Sequence, residues 1–156
     1  MTQFVHLHNH SDYSLLDGAQ SIESLVNRAV ELGMPAVGLT EHGNLFSAIH
    51  FLKAAYNSDL KPILGCEIYV ADNNRFDKKS REQGGSGYHH LLLLVQNRQG
   101  YENLIKLVSL GYLEGYYYRP RVDNELLRKY NAGLIATSAC ITAVSYTHLR
   151  AHETVL

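Results

Sequence analysis

Short apolar segments alternate with helix-type segments along this chain, and that alternation restricts its fold more than any other feature. Apolar segments of strand length occur at residues 4–7, 36–40, 62–70, 90–96 and 134–138. Between them, apolar residues recur at helical spacing in residues 22–30, 45–57, 104–112 and 123–130. Continuously apolar strands separated by helices are typical of a parallel sheet covered on both faces. The pattern therefore predicts the α/β class.

Polar residues of the kinds that bind metals follow several different strands, which favours a β/α barrel over an open sheet. An eight-stranded barrel typically needs about 250 residues. The 156 residues here provide five strands. We therefore expect an incomplete barrel in a chain that is cut short.

Composition excludes several classes of protein. The net charge is −1, whereas a domain that holds nucleic acid mainly by neutralising phosphates is more basic. Any nucleic-acid contact is therefore local or supplied by another domain. The longest aliphatic run, residues 91–95, is too short to cross a bilayer, and the N-terminus lacks a signal-peptide pattern. Two cysteines cannot form a disulfide framework, so we expect a cytoplasmic protein without membrane contact.

Histidine is abundant, with nine in the chain, and two of them follow the first predicted strand. His8 and His10 are alternate residues of an extended segment, so their side chains point to the same side and are placed to share one ion. Asp17 lies in a Leu-Leu-Asp-Gly turn, where Gly18 permits a tight reversal that directs the carboxylate back. The alternative is an incidental histidine tract or a histidine that only satisfies the end of a strand.

A second group of ionisable residues accompanies the next two strands. Glu41 and His42 follow the second strand, at the end where barrel enzymes place their ligands, although either residue is also suited to capping a helix. Glu67 lies inside an apolar strand, where a buried carboxylate is costly unless it is paired or binds a cation. We favour a ligand or active-site role for Glu67 over a surface position on an edge strand.

His90 and Cys140 are harder to place from the pattern. His90 precedes its strand, so a regular parallel layout puts it at the wrong end of the sheet, with His89 as its neighbour facing solvent. A capping histidine is the alternative. Cys140 follows the last strand at the correct end, but a lone cysteine is more often a small buried apolar residue than a ligand.

Motifs in several of these segments occur in a characteristic order, at residues 4–11, 13–18, 39–46, 61–67, 88–91, 114–123 and 137–140. Together they resemble the polymerase and histidinol phosphatase (PHP) domain over roughly residues 4–140. The segments His-Gly-Asn-Leu-Phe (42–46) and Glu-Gly-Tyr-Tyr-Tyr-Arg-Pro-Arg (114–121) resemble the branch found at the N-terminus of bacterial DNA polymerase III alpha subunits.

The resemblance implies a seven-stranded β/α barrel, of which about five βα units are present here. It also implies a site for up to three divalent ions, zinc or manganese. By motif position the ligands are His8, His10, Asp17, His42, Glu67, His90 and Cys140. The family's final Asp-x-His pair is absent from this sequence, so we expect weak metal binding and poor hydrolysis. Residues 1–143 are predicted to form the PHP domain, and residues 144–156 a tail that departs from the family pattern.

For function, the resemblance implies a metal-dependent phosphoesterase of the 3′–5′ exonuclease, proofreading type. The resemblance further implies that the domain is part of a DNA polymerase subunit whose polymerase site lies outside this chain, with DNA and other polymerase III holoenzyme subunits as expected partners. Glu41 is interpreted as a base and Arg121 as a phosphate clamp. Two alternatives stay open: a free-standing phosphoesterase for a small phosphate monoester, and a non-catalytic scaffold domain. Ligand-capable residues at all seven recognisable positions favour catalytic ancestry.

Overall fold

A computed structural model describes residues 4–79 and 87–140. The predicted tail, residues 144–156, lies outside the described residues. Four helices and six strands follow in the order α1 (Ile22–Glu31), β1 (Ala36–Leu39), α2 (Ala48–Asn57), β2 (Lys61–Ala71), β3 (Tyr88–Val95), α3 (Arg98–Leu113), β4 (Tyr116–Tyr117), β5 (Arg119–Val122), α4 (Asn124–Lys129) and β6 (Leu134–Thr137). The predicted α/β class is confirmed. No helix in the described ranges has the length and apolar character needed to span a membrane.

Local sequence signals determine where the helices begin and end. The side chains of Ser21, Asn97 and Asp123 each accept a hydrogen bond from the main-chain N–H three residues later, which caps α1, α3 and α4. Gly33 and Gly133 follow α1 and α4 with φ of 64° and 74°, the left-handed conformation that glycine adopts most easily. These residues explain where α1 and α4 begin and end and where α3 begins.

The sheet is mixed, which differs from the parallel layout expected from the sequence. Its hydrogen-bonded order is β4-β5-β2-β3-β6, with β1 also paired to β2. Both β1 and β5 run parallel to β2, but β3 is antiparallel to β2 and to β6. Within the described residues the sheet does not close, as expected for an incomplete barrel. Apolar periodicity identified β3 as a strand but carried no information about its direction.

Two other segments differ from the prediction. Residues 4–7 do not form a strand, although the carbonyl groups of His6 and Asn9 accept hydrogen bonds from Gly38 and Thr40 beside β1. Gly38 permits this close approach, since a Cβ atom there would lie 2.5 Å from the Leu7 oxygen. The predicted aromatic loop around residues 115–120 is instead largely a short hairpin formed by β4 and β5.

Two apolar clusters hold the elements together. The first joins α1 and α2 to β1 and the beginning of β2, with Phe51 fully buried at its centre. The second joins α3 and α4 to the middle of β2 and to β3. The residues of β2 that belong to the second cluster are Cys66, Ile68 and Val70. Because side chains alternate along a strand, Glu67 and Tyr69 face the other side of the sheet.

A buried arginine ties the segment after β2 to the helices α3 and α4. The guanidinium group of Arg75 lies 2.6 Å from Glu114, 2.9 Å from Asp123 and 3.0 Å from Glu125. Burial raises the pKa of Asp123, but the N–H groups of Leu126 and Arg75 and the Arg75 guanidinium outweigh it. The net pKa of Asp123 is therefore below its ordinary value. The ionised carboxylate stabilises this junction.

We expect Asp123→Asn to lower the free energy of unfolding by about 1–3 kcal/mol at pH 7, since Asn still caps α4 but leaves Arg75 without a buried anion. A lowered folded pKa contributes stability above the ordinary value of 3.8, and that stability is lost as pH falls through the folded pKa. The difference between the wild type and the variant should therefore begin to shrink below about pH 4 and vanish below the folded pKa. Urea unfolding followed by circular dichroism measures both.

Glu125→Gln is the matched control, because Glu125 contacts the same arginine through a side chain that is 74% exposed. This variant should stay within about 0.5 kcal/mol of wild type. Equal losses in both variants, or a gap that does not change with pH, would contradict this account of the junction.

Candidate metal centre

The antiparallel direction of β3 determines which histidine reaches the centre. In the β2–β3 register, His90 pairs with Tyr69 and Leu92 pairs with Glu67. The beginning of β3 therefore lies beside the end of β2, where the other candidate ligands are. His89 points to the opposite face, and its Nε2 atom lies 2.8 Å from an Asp72 carboxylate oxygen. His90, and not His89, therefore lies on the same face as the other candidate ligands.

The carboxylate of Glu67 is the point on which the candidate ligands converge. Glu67 is 1% exposed. Its Oε2 atom lies 2.5 Å from His8 Nε2, 3.2 Å from His10 Nε2 and 3.8 Å from His42 Nδ1. Its Oε1 atom is in close contact with His90 Nδ1. Four histidines from three separate parts of the chain thus surround one buried carboxylate.

Asp17 and Cys140 lie at the edges of this group. The Asp17 carboxylate is 2.8 Å from His42 Nε2, and its side chain is 52% exposed. Cys140 Sγ is 3.4 Å from His90 Nδ1. All seven residues predicted as ligands are therefore brought to one region of the structure.

Two local features of the backbone place His42 beside Glu67. His42 forms an isolated parallel bridge with Glu67, which continues the β1–β2 register three residues beyond the Leu39–Leu64 pair. The next residue, Gly43, has φ of 62° and lies against Tyr69 and Pro120. A Cβ atom at Gly43 would lie 2.8 Å from the Pro120 side chain, so the turn after His42 requires glycine.

The ligand atoms form three overlapping groups, each with its atoms within 4.8 Å of one another: His8, His10 and Glu67; His10, Asp17 and His42; and His42, Glu67 and His90. The buried Nδ1 atoms of His10 and His42 have no hydrogen-bond partner among the residues that the structure describes. Unpaired buried nitrogens next to a buried carboxylate suit a cation, and imidazole, carboxylate and thiol ligands suit transition metals. The residues present therefore fit a metal centre.

Comparison with known proteins identifies the family. The family model described as "PHP domain" matches residues 6–153. This chain belongs to the PHP domain family. The resemblance found in the sequence is thereby confirmed.

Similar proteins include the DNA polymerase III subunits alpha of Borreliella burgdorferi and Treponema pallidum. The first is 53% identical over 140 residues, which is 90% of this chain, and the second is 52% identical over 138 residues, which is 88%. This PHP chain spans 12% of the length of these curated relatives. A candidate metal-dependent phosphoesterase from Bifidobacterium adolescentis has a similar fold, with a TM-score of 0.50 and 20% identity over 70% of this chain and 33% of that one.

Electrostatics at the PHP centre favour an ionised Glu67. Burial raises the pKa of Glu67, but hydrogen bonds from His10, His8 and His90 and the charge of His42 outweigh burial. The net pKa is held well below its usual range. Burial lowers the pKa of His10, but the hydrogen bond and the charge of Glu67 outweigh burial. The net pKa of His10 is therefore above its ordinary value. A cation that enters beside Glu67 therefore meets an ionised carboxylate.

Glu41, interpreted from the sequence as a base, is occupied by other contacts. It is 2% exposed, and its carboxylate accepts hydrogen bonds from the hydroxyl groups of Ser11, Ser14 and Ser47. The Ser14 hydroxyl in turn accepts a hydrogen bond from the His42 main chain. Glu41 therefore holds the segment that leads to Asp17 against His42. That arrangement supports a positioning role in place of the predicted base.

Arg121, interpreted as a phosphate clamp, is 1% exposed. Its guanidinium group donates to the main-chain oxygens of Gly115, Arg75 and Asp77, at 3.2, 3.3 and 2.5 Å. A clamp needs donors that a phosphate can reach, so the geometry does not support this assignment. A guanidinium bound to main-chain oxygens instead stabilises the segment that precedes β3.

Sequence reasoning missed Tyr69 and Arg119. The Tyr69 ring contacts His42 and His90, with centroid distances of 6.2 and 5.1 Å, and the Arg119 guanidinium lies 5.7 Å from the Tyr69 centroid. Two signals pointed to them. Tyr69 is two residues after Glu67 on the same strand face. Arg119 is two residues before Arg121, the arginine that the motif had suggested as a phosphate clamp.

We expect Glu41→Gln to lower the free energy of unfolding by about 1–3 kcal/mol, because three serine hydroxyls lose an anionic acceptor in a buried site. Glu102→Gln is the control, since Glu102 forms an exposed pair with Arg98 on α3. The control should change stability by less than about 0.5 kcal/mol in urea unfolding. If Glu41→Gln is as stable as wild type, Glu41 does not hold this segment in position.

Proposed function

We propose that this PHP domain is a region of a bacterial DNA polymerase III alpha subunit and that its metal centre hydrolyses DNA phosphodiester bonds as a 3′–5′ exonuclease. One observation carries the catalytic part of the proposal: four histidines converge on the buried carboxylate of Glu67. The polymerase assignment is supported by eight relatives of 44–53% identity, which are all DNA polymerase III alpha subunits. Bacterial cytoplasm and the other holoenzyme subunits are the corresponding location and partners.

The proposed ligands are the seven residues of the cluster, with zinc or manganese as the metal and up to three ions in a full set. They are His8, His10, Asp17, His42, Glu67, His90 and Cys140. When bound, divalent ions bind phosphate oxygens, lower the pKa of a water molecule and stabilise the leaving oxygen.

The chain's own residues divide the remaining tasks. Glu67 provides a buried negative charge at the centre, and the histidines around it provide ring nitrogens as ligands. Asp17 is half-exposed, so its carboxylate is accessible from solvent at the edge of the centre. Glu41, through three serines, holds this segment in position.

The neighbouring histidines of β3 provide the sharpest test of the centre. We expect His90→Ala to weaken Mn²⁺ or Zn²⁺ binding at least about tenfold, because it removes a ligand atom. We expect His89→Ala to leave binding unchanged, because His89 contacts Asp72 on the other face. Isothermal titration of the metal-free protein measures both affinities. Equal affinities in the two variants would place the ions elsewhere.

Activity is measured with Mn²⁺ on single-stranded DNA labelled at its 5′ end, on a chromogenic phosphodiester and on a phosphate monoester. We expect stepwise shortening of the DNA from its 3′ end, at a low rate because this sequence lacks the family's Asp-x-His pair. Cleavage should stop on chelation and in His90→Ala. Cleavage of the monoester alone would favour the free-standing phosphatase, and metal binding without any cleavage would favour a scaffold domain.

A further inference from the structure

An aromatic groove of about 350 Å³ opens directly beside the metal centre. Its lining contains five tyrosines and one arginine: Tyr13, Tyr69, Tyr112, Tyr116, Tyr118 and Arg119. The chain has eleven tyrosines, so nearly half of them lie around this one depression. His42 lines the same groove and is also part of the cluster around Glu67. The groove and the metal centre are therefore continuous.

The outer wall of the groove presents aromatic rings to solvent. Tyr116 is half exposed and stacks on Tyr112, with centroids 6.1 Å apart and an angle of 20° between the planes. Tyr118 is 77% exposed and packs edge-on against Tyr117. Tyr118 also has φ of 58°, a conformation that costs a tyrosine roughly 1–2 kcal/mol. The chain thus holds a large ring outward at a strained position.

A single cation connects this wall to the metal centre. The Arg119 guanidinium lies over the Tyr69 ring, and that ring contacts His42 and His90. A hydrogen bond to Tyr88 raises the pKa of Arg119 most strongly and outweighs burial, so the group is held as a cation. A positive charge therefore stands one ring away from the residues that are proposed to bind the reacting phosphate.

We propose that this groove binds the 3′-terminal nucleotides of single-stranded DNA, with bases stacked on Tyr116 and Tyr118 and a backbone phosphate at Arg119. The inference rests on the proposed phosphodiesterase activity and specifies how that site recognises its substrate. Exposed rings beside a cation are the elements of a single-strand site, because every base has a face that stacks on an aromatic ring. A small phosphate monoester lacks bases and gains nothing from this wall.

The low net charge of the chain agrees with a DNA strand held mainly by stacking. The whole chain carries a net charge of −1, so phosphate neutralisation over a broad surface does not hold the strand. Stacking then provides most of the affinity and Arg119 provides one local phosphate contact. The salt dependence of binding should accordingly be shallow, and Arg119→Gln should reduce its slope by about one.

Tyr118→Gly is the decisive variant. It removes the ring and also relieves the positive φ, so the variant is expected to be at least as stable as wild type. The probe is a single-stranded DNA with a fluorophore at its 5′ end and phosphorothioate linkages at its 3′ end, which resist cleavage. Binding is measured by fluorescence anisotropy with Mn²⁺. We expect Tyr118→Gly to weaken binding about tenfold.

Two controls isolate stacking. Tyr56→Ala removes a tyrosine that is 70% exposed on α2 and does not line the groove, and it should bind like wild type. A strand whose last three nucleotides are abasic keeps the phosphates but lacks the bases. Wild type should bind this strand about tenfold more weakly, and Tyr118→Gly should weaken its binding no further.

Unchanged affinity in Tyr118→Gly, or equal affinity of wild type for the abasic and normal strands, would overturn the proposal. Failure of the metal site is a separate result. Metal binding is titrated on the same proteins. Part of the DNA affinity should remain after chelation, because the tyrosine rings are not metal ligands. A wild type that binds the strand through Tyr118 but holds no metal would retain the groove and reject the phosphodiesterase.

Discussion

The structure depends on one buried negative charge, the carboxylate of Glu67. A carboxylate at 1% exposure is costly to bury without partners, and this chain surrounds it with His8, His10, His42 and His90. Those histidines come from the N-terminal segment, the segment after β1 and the beginning of β3. Satisfying Glu67 therefore requires the pairings that bring these segments together.

The surrounding architecture keeps that charge in place. The second apolar cluster takes the residues on either side of Glu67 in β2, which orients its side chain away from α3 and α4. A second buried carboxylate, Glu41, secures the loop beneath His42 through three serines. On the open side, the aromatic groove begins at His42. One side of the sheet thus provides stability, and the other carries the proposed chemistry.

The candidate ligands could largely be predicted from the sequence. The positions that could not be predicted depend on how the strands pair. Glu67 was recognisable because an ionisable residue in an apolar strand needs a partner. His90 could not be placed by periodicity, since the antiparallel direction of β3 is decided by contacts with β2 and β6. The contacts of Glu41 and Arg121 do not support the roles suggested for them, because motif position does not show whether a charged group is already held by serines or main-chain oxygens.

Anomalous diffraction from crystals soaked in Mn²⁺ or Zn²⁺ shows whether ions bind at Glu67. We expect metal peaks between Glu67 and the surrounding histidines, with ligand distances of about 2.0–2.3 Å. The direct contacts between Glu67 and the imidazole rings should then be replaced by shared bonds to the ions. Crystals that bind metal only at other residues, and keep the Glu67–histidine contacts unchanged, would contradict this expectation.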